Sequence, residues 1–233
     1  MNMTAAIKTL WKQALNTFEE RSNVGFKLCH KNFDKLRYLM NKITAEDVNL
    51  NKQILDFIQV QHAPMWVIDI FENKDFAISI FILKHGFTMP IHDHPGMYGF
   101  LKVISGIVQV NNYTLKANED HTIRLNKEVT AFRHKPISLH SNSAACTLTP
   151  RDKNLHEITC IEGPAAFLDI LSPPYDVDDC GKGPRPCTFF KTVSSSKLCT
   201  DSPDLVEEVK LVVIEGPPDF CSGSLKYTGP PLM

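Results

Sequence analysis

Two histidines separated by one residue are the feature of this chain best suited to chemistry. His92 and His94 lie in the segment Met89-Pro-Ile-His-Asp-His-Pro-Gly-Met97. On an extended strand, residues two apart point to the same face, so both imidazoles can reach one ion. The alternative is a pair of polar residues on a solvated strand face. Pro90 just before the pair and glycines on both sides favour the first interpretation, a pair of metal ligands.

The spacing around this pair resembles the first metal-binding motif of cupin barrels, G-x5-H-x-H-x3,4-E-x6-G. Gly86 and Gly106 occupy the two glycine positions, but Gly99 stands where the motif has glutamate. Imidazole ligands suit iron, zinc, copper and nickel, so the donors alone do not name the metal. Without the carboxylate, a divalent ion would keep its full charge and attract an anionic ligand. A thiolate substrate would supply that negative charge.

A third ligand is expected from a neighbouring strand. His156 opens an apolar stretch six residues after Pro150, a loose match to the second cupin motif, P-x-G-x-x-H, because no glycine intervenes. His140 is the next candidate, although it and His134 lie in a segment that we interpret as polar and turn-rich. Single histidines are usually surface or core residues with ordinary partners, and this interpretation is assigned to His30, His62 and His121.

The pattern of apolar residues changes along the chain from helical to strand spacing. Apolar residues recur at helical spacing near the N-terminus, and β-branched and aromatic runs separated by turn residues follow from about Met65. This order predicts a mainly β fold, a cupin (double-stranded β-helix, jelly-roll-like) barrel over 61–233, with an N-terminal helical segment over 1–60 packing on it. Helices are predicted at 4–20 and 32–43, strands at 66–71, 76–84, 100–110, 145–148, 156–161, 166–171, 188–193 and 209–214, and a polar loop at 194–203.

Composition excludes several classes of partner. The 233 residues carry a formal net charge of −1, so no basic surface for nucleic acid or anionic membrane is expected. No apolar stretch is long enough to span a membrane. The seven cysteines are odd in number and form no CxxC pair, which argues against a disulfide framework or a zinc ribbon. We expect a cytoplasmic monomer; two lysines and no acid in the first 18 residues leave a mitochondrial alternative.

Several long sequence blocks resemble the cysteamine (2-aminoethanethiol) dioxygenase and plant cysteine oxidase family of thiol dioxygenases. The resemblance covers most of the chain, and the cysteamine dioxygenase branch is the more similar of the two. The blocks are 89–97, 101–106, 148–156 and Glu162-Gly-Pro-Ala-Ala-Phe-Leu-Asp-Ile-Leu-Ser-Pro-Pro-Tyr-Asp176, with shorter matches at 46–49 and at Tyr227-x-Gly-Pro.

The resemblance implies both a metal site and a reaction. His92, His94 and His156 would bind one Fe(II), with no organic cofactor. With O2 as co-substrate, family members add both oxygen atoms to a thiol and form a sulfinate. Their substrates are cysteamine, which gives hypotaurine, and proteins with an N-terminal cysteine, whose oxidation marks them for oxygen-dependent degradation through an N-degron.

The same resemblance draws attention to two further residues. Asp169 lies in an otherwise apolar strand, where a carboxylate is costly unless it has a partner. It could bind the substrate ammonium or orient a ligand imidazole; the alternative is an ordinary hydrogen bond to backbone or a buried cation. Tyr175 could contact substrate or bound oxygen, or only pack at the rim of the barrel.

One departure from the family lies near the second half of the chain. Many relatives read Cys-x-Tyr-Tyr where this chain reads Cys187-Thr-Phe189-Phe190. Some thiol dioxygenases form a thioether between cysteine and tyrosine, but phenylalanine has no phenol to oxidise. No such link to Phe189 is therefore expected, and Cys187 should be a free thiol.

Two other functions remain open from the residues alone. A cupin with zinc or manganese could catalyse isomerisation or hydrolysis. A cupin without catalysis could act as a sensor or scaffold, although three intact histidines argue against it.

Overall fold

A computed structural model describes residues 3–21, 23, 25–116, 124–177, 184–197, 204–217 and 220–233. Three α-helices precede a large β-structure, with a short 3-10 helix at Glu46–Val48. The helices are α1 (Met3–Phe18), α2 (His30–Met40) and α3 (Lys52–Val60). The strands are β1 (Met65–Glu72), β2 (Ala77–Leu83), β3 (Thr88–Asp93), β4 (Tyr98–Leu115), β5 (Glu128–His134), β6 (Ile137–His140), β7 (Cys146–Leu148), β8 (Leu155–Ser172), β9 (Phe189–Lys197), β10 (Leu205–Ile214) and β11 (Ser222–Ser224).

The N-terminal helices cover the outer face of the sheet. Ile7, Leu10 and Ala14 of α1 recur at helical spacing and are fully buried, together with outward-facing residues such as Ile80 of β2 and Leu168 of β8. Burial of one apolar stripe on a sheet is the usual way in which an amphipathic helix gains stability. The helical segment therefore shares a hydrophobic core with the barrel.

Two long strands connect the halves of the barrel. β4 and β8 each contain 18 residues and pair along most of their length, with register shifts between Val103 and Val108. Gly106 lies at this corner with a φ of +70°, and a Cβ there would collide with the carbonyl oxygen of Glu162. Only glycine fits this position without strain, which explains the last glycine of the cupin motif.

Six strands close into a ring beside the cupin interior. β3 pairs with β8, β8 with β4, β4 with β5, β5 with β10, β10 with β9, and β9 with β3. Alternate residues of these strands fill the ring, including Ile91, Leu155 and Phe190. The residues between them face the cupin interior, whose apolar side chains include Val103, Ile158 and Phe167. The strands that carry His92 and His156 therefore separate two hydrophobic cores.

The prediction of a mainly β cupin barrel with N-terminal helices is confirmed. Two local interpretations are wrong: residues 194–197 continue strand β9 rather than a loop, and the segment with His134 and His140 forms β5 and β6. α3, within the predicted helical segment, was not itself predicted. The division at residue 60 stays a prediction. Within the described part of the chain, no helix is long and apolar enough to cross a membrane.

Candidate metal centre

The three histidines predicted as ligands lie together. His92 is the last but one residue of β3, His94 follows the strand, and His156 is the second residue of β8, directly opposite His92. Their candidate ligand atoms all lie within 4.8 Å of one another, and the three side chains are buried. His94 Nε2 and His156 Nε2 are 3.1 Å apart, so both nitrogens can lie about 2.0–2.1 Å from one ion. The donor set fits a metal ion.

The environment keeps these imidazoles neutral. Burial lowers the pKa of His92 to about 4, and burial together with the neighbouring imidazoles lowers the pKa of His94 well below its usual range. Burial also lowers the pKa of His156. A neutral ring has one nitrogen lone pair available for a metal. His92 Nδ1 lies 2.8 Å from the carbonyl oxygen of Pro90, so it carries the proton and leaves Nε2 free.

Tyr175 fixes the second imidazole. Its hydroxyl lies 2.6 Å from His94 Nδ1 and donates a 2.6 Å hydrogen bond to the carbonyl oxygen of Asp93. Because the tyrosine proton is committed to Asp93, His94 Nδ1 must donate to the tyrosine oxygen. His94 Nε2 then has its lone pair free on the side facing His156. Such partners of ligand imidazoles are a common feature of metal sites.

Two further residues that hold the site were not identified from the sequence. Asn154 is buried and donates from Nδ2 to the carbonyl oxygens of His94 (2.7 Å) and Thr149 (2.9 Å). The carboxylate of Asp93 accepts a 2.8 Å hydrogen bond from the Thr188 amide. In the sequence, Asn154 and Asp93 are marked only by their position beside the histidines. That position does not distinguish a residue that holds a histidine from a polar residue in contact with solvent.

Apolar side chains occupy the space beside Gly99, the glutamate position of the motif. A Cβ on Gly99 would lie 2.9 Å from Leu148 Cγ and 3.0 Å from Leu171 Cδ2. Real Cβ atoms do not tolerate such contacts without movement of their neighbours. A glutamate at position 99 would therefore require Leu148 and Leu171 to move.

Asp169 faces the interior that holds the histidines. On β8 it follows Phe167 by two residues, and across the sheet it pairs with Leu101, and both of these neighbours belong to the interior core. Asp169 is 8% exposed, and burial raises its pKa to about 7 although the Ile170 amide opposes the shift. Asp169 also contributes to the raised pKa of Tyr175, which places the two groups within electrostatic reach of one another.

Cys187 and Phe189 contact different residues of the site. Burial and the nearby Asp93 raise the pKa of the Cys187 thiol to about 12, and the thiol is hydrogen-bonded to the Tyr175 hydroxyl. Cys187 is a free cysteine. Phe189 pairs with His92, and the two ring centroids are 6.4 Å apart.

The remaining candidate histidines lie outside the cluster. His140 is exposed on β6, where its Nδ1 accepts a hydrogen bond from the Asn142 amide. His134 is hydrogen-bonded to Thr114 at 2.8 Å. His121 falls outside the described residues, as do Cys180 and Cys199.

A barrel with a buried three-histidine cluster at one interior face defines a cupin with a site that could bind a metal ion. Comparison with known families narrows this class: the family PCO_ADO matches residues 39–232. The chain is 34% identical to 2-aminoethanethiol dioxygenase of Homo sapiens over 86% of this chain and 81% of that protein. It is 28% identical to plant cysteine oxidase 1 of Arabidopsis thaliana over 74% of this chain and 59% of that protein. Among solved structures, a cupin superfamily protein of Desulfitobacterium hafniense aligns with 51% of this chain and with 86% of its own length. The two share 12% sequence identity, with a TM-score of 0.35.

The chain therefore belongs to the PCO_ADO family. The resemblance inferred from the sequence blocks is confirmed, and so is the prediction of a dioxygenase.

Proposed function

We propose that this protein is an iron(II) enzyme that adds both atoms of O2 to the thiol of cysteamine or of an N-terminal cysteine. One observation carries the proposal: three buried, neutral imidazoles lie together, and the chain has Gly99, packed against leucines, in place of the motif carboxylate. A dipositive ion held by such ligands favours an anionic substrate group, and a thiolate is the anion that an aminothiol offers. The relatives named for cysteamine and for cysteine support the same substrates.

Bound iron would supply the site at which thiolate and O2 meet, and His92, His94 and His156 would hold it. The overall change is balanced without a further reductant: a thiol and one O2 give a sulfinic acid, with sulfur as the atom oxidised. The contribution of the protein is to fix the two reactants beside each other, which makes an intermolecular step effectively intramolecular.

Asp169 is proposed to bind the substrate ammonium. Cysteamine and N-terminal cysteine both carry an amine two carbons from the thiol, so one interior carboxylate can recognise either. Asp169 lies on the interior face and is buried, and a buried carboxylate needs a cation or hydrogen-bond donors to stay ionised. A substrate ammonium would meet that need and lower the pKa of Asp169 in the complex.

Tyr175 is proposed as a positioning residue rather than a group that reacts. Its hydroxyl is already hydrogen-bonded to the His94 ring and to the Asp93 backbone. Pro90 has the same role for His92 through its carbonyl oxygen. Each ligand imidazole of the pair therefore has a fixed tautomer and a fixed direction before metal binds.

Mass spectrometry of the products tests the proposal. Iron-loaded protein is incubated in air with cysteamine and, separately, with a peptide that begins with cysteine. We expect a product heavier by two oxygen atoms, with both atoms labelled when 18O2 is used. His92→Ala should abolish iron binding and product formation, whereas His140→Ala, a histidine outside the cluster, should retain both. Activation by zinc or manganese alone, or no sulfinate from any thiol, would favour a different enzyme or a non-catalytic cupin.

A cellular role follows from the protein substrates. Oxidation of N-terminal cysteine requires O2, so we propose that it links turnover of such proteins to oxygen through an N-degron, in the cytoplasm, with the enzyme acting as a monomer. Detection of the oxidised N-terminus on a cytoplasmic protein in air, and its loss in low oxygen, would test this role.

A further inference from the structure

The row of side chains that contains the metal ligands differs in chemistry at its two ends. Phe189 pairs with His92, His92 with His156, and His156 with Asn112. Directly paired residues place their side chains next to each other on one face of a sheet. The row therefore has a phenyl ring at one end and an amide at the other, with two ligands between them.

Two more rings extend the apolar end. Phe220 lies edge-on to Phe189 with ring centroids 5.3 Å apart, and Phe87 stacks on Phe220 at 6.3 Å. We refer to Phe87, Phe189 and Phe220 as the aromatic wall. All three residues are half-buried, so none of them is fully enclosed by the core. Phe87 and Phe220 also pack against the interior core, so the wall is continuous with that core.

The polar end of the interior lies away from this wall. Asn112 is 3% exposed and its side chain is hydrogen-bonded to the Cys146 thiol. Asp169 adds its carboxylate on the same interior, near enough to influence Cys146. An ammonium group is stabilised at this end, whereas the aromatic wall presents only hydrocarbon edges and faces.

With its amine at the polar end of the interior, a bound peptide can continue toward the aromatic wall. The α-carbon of an N-terminal cysteine carries the thiol arm, the amine, a hydrogen and the peptide carbonyl. With sulfur at the histidines and the amine at Asp169, only the carbonyl can continue the chain. The next α-carbon lies 3.8 Å from the first, and the wall begins 6.4 Å from the His92 ring, so the second residue can reach it.

We propose that the aromatic wall binds the side chain of the second residue of a protein substrate, so that apolar residues are preferred there. This inference rests on the proposed function, since it assumes a cysteine held at the three histidines. Cysteamine ends at the carbon where the peptide would continue and does not reach the wall.

A wall contacts a bound side chain from one face only, so it covers about half of a leucine side chain and about half of the full burial free energy is gained. That corresponds to about a tenfold higher kcat/KM for leucine than for serine at the second position.

The test compares two peptides that differ only at this residue, Cys-Leu and Cys-Ser, followed by the same sequence. The readout is the ratio of their kcat/KM values, which cancels any general change in activity. Iron-loaded wild-type protein should give a ratio of about ten, and Phe220→Ala should lower it to about two because the central ring is lost. Phe57→Ala, which removes an exposed ring on α3, is the matched control and should keep the wild-type ratio.

Phe87→Ala provides a second variant if Phe220→Ala does not fold, and it should lower the ratio in the same direction. A wild-type ratio near one, or a ratio that neither substitution lowers, would overturn the inference while sulfinate formation itself stands. Failure of the wild-type protein to oxidise cysteamine and both peptides would instead overturn the proposed function.

Discussion

Replacement of Tyr175 by phenylalanine tests whether one hydroxyl group fixes the ligand imidazole. The substitution keeps the ring and removes only the oxygen that joins His94 Nδ1 to the Asp93 carbonyl, both at 2.6 Å. The His94 ring, the Asp93 carbonyl and the Cys187 thiol then lose this partner, which should lower the free energy of unfolding by about 2–4 kcal/mol. Loss of a hydrogen-bond partner to a ligand imidazole typically lowers metal affinity by about 10–100-fold, and we expect a loss in this range.

The affinity is measured by titration of metal-free protein with Co(II) in competition with a chelator, at a temperature where both proteins are folded. Tyr227→Phe is the matched control, because its hydroxyl donates a 3.3 Å hydrogen bond to Pro230, remote from the histidines. The control should bind Co(II) like the wild-type protein. If Tyr175→Phe loses stability but binds Co(II) with unchanged affinity, the hydroxyl is only structural and the positioning argument is refuted.

Two further substitutions probe the carboxylate and the glycine of the site. Burial raises the pKa of the Asp169 carboxyl to about 7 in the folded state, above its unfolded value of 3.8. Between about pH 4 and pH 7 the folded protein therefore binds a proton that the unfolded chain does not. The free energy of unfolding consequently falls as the pH rises through this range. Denaturant unfolding of metal-free protein should show Asp169→Asn gaining up to about 4 kcal/mol relative to wild type over that range, and parallel pH profiles would contradict the assigned burial. Gly99→Glu restores the carboxylate of the cupin motif but would press against Leu148 and Leu171, so we expect a loss of about 1–3 kcal/mol in thermal or denaturant unfolding. Unchanged stability, with tighter Co(II) binding, would show that the leucines move aside and that packing does not exclude the carboxylate.

The sequence was most informative where spacing alone determines geometry. His92 and His94 share a face because they are two apart on extended backbone. His156 was chosen as the third ligand because it begins a predicted strand and loosely matches the second cupin motif, and the structure pairs it with His92. The helical spacing in α1 likewise predicted its buried stripe. In each case the information is local.

Residues that hold the histidines through contacts between distant segments of the chain could not be predicted from spacing. The bond from Asn154 to the backbone of His94 joins residues 60 apart in the chain, and the contact from Tyr175 to His94 spans 81. Residue type alone gives Asn154 no preference for this partner over water. The ring of six strands was missed for the same reason, since its closure depends on a short pairing between β3 and β9.

The alternation along β3 ties the metal site to the stability of the neighbouring ring. Ile91 points into the ring core and His92 into the cupin interior. Separation of β3 from β9 would therefore displace His92 from the metal site at the same time as it opens the ring core. Cooperative units of this kind open together and exchange their amide hydrogens at a common rate. Destabilisation of the ring far from the histidines, for example at Val209, would therefore raise the fraction of molecules with an open metal site. Enzyme activity at a low concentration of the proposed iron cofactor would then report on the folding of a core that does not contact the proposed substrate site.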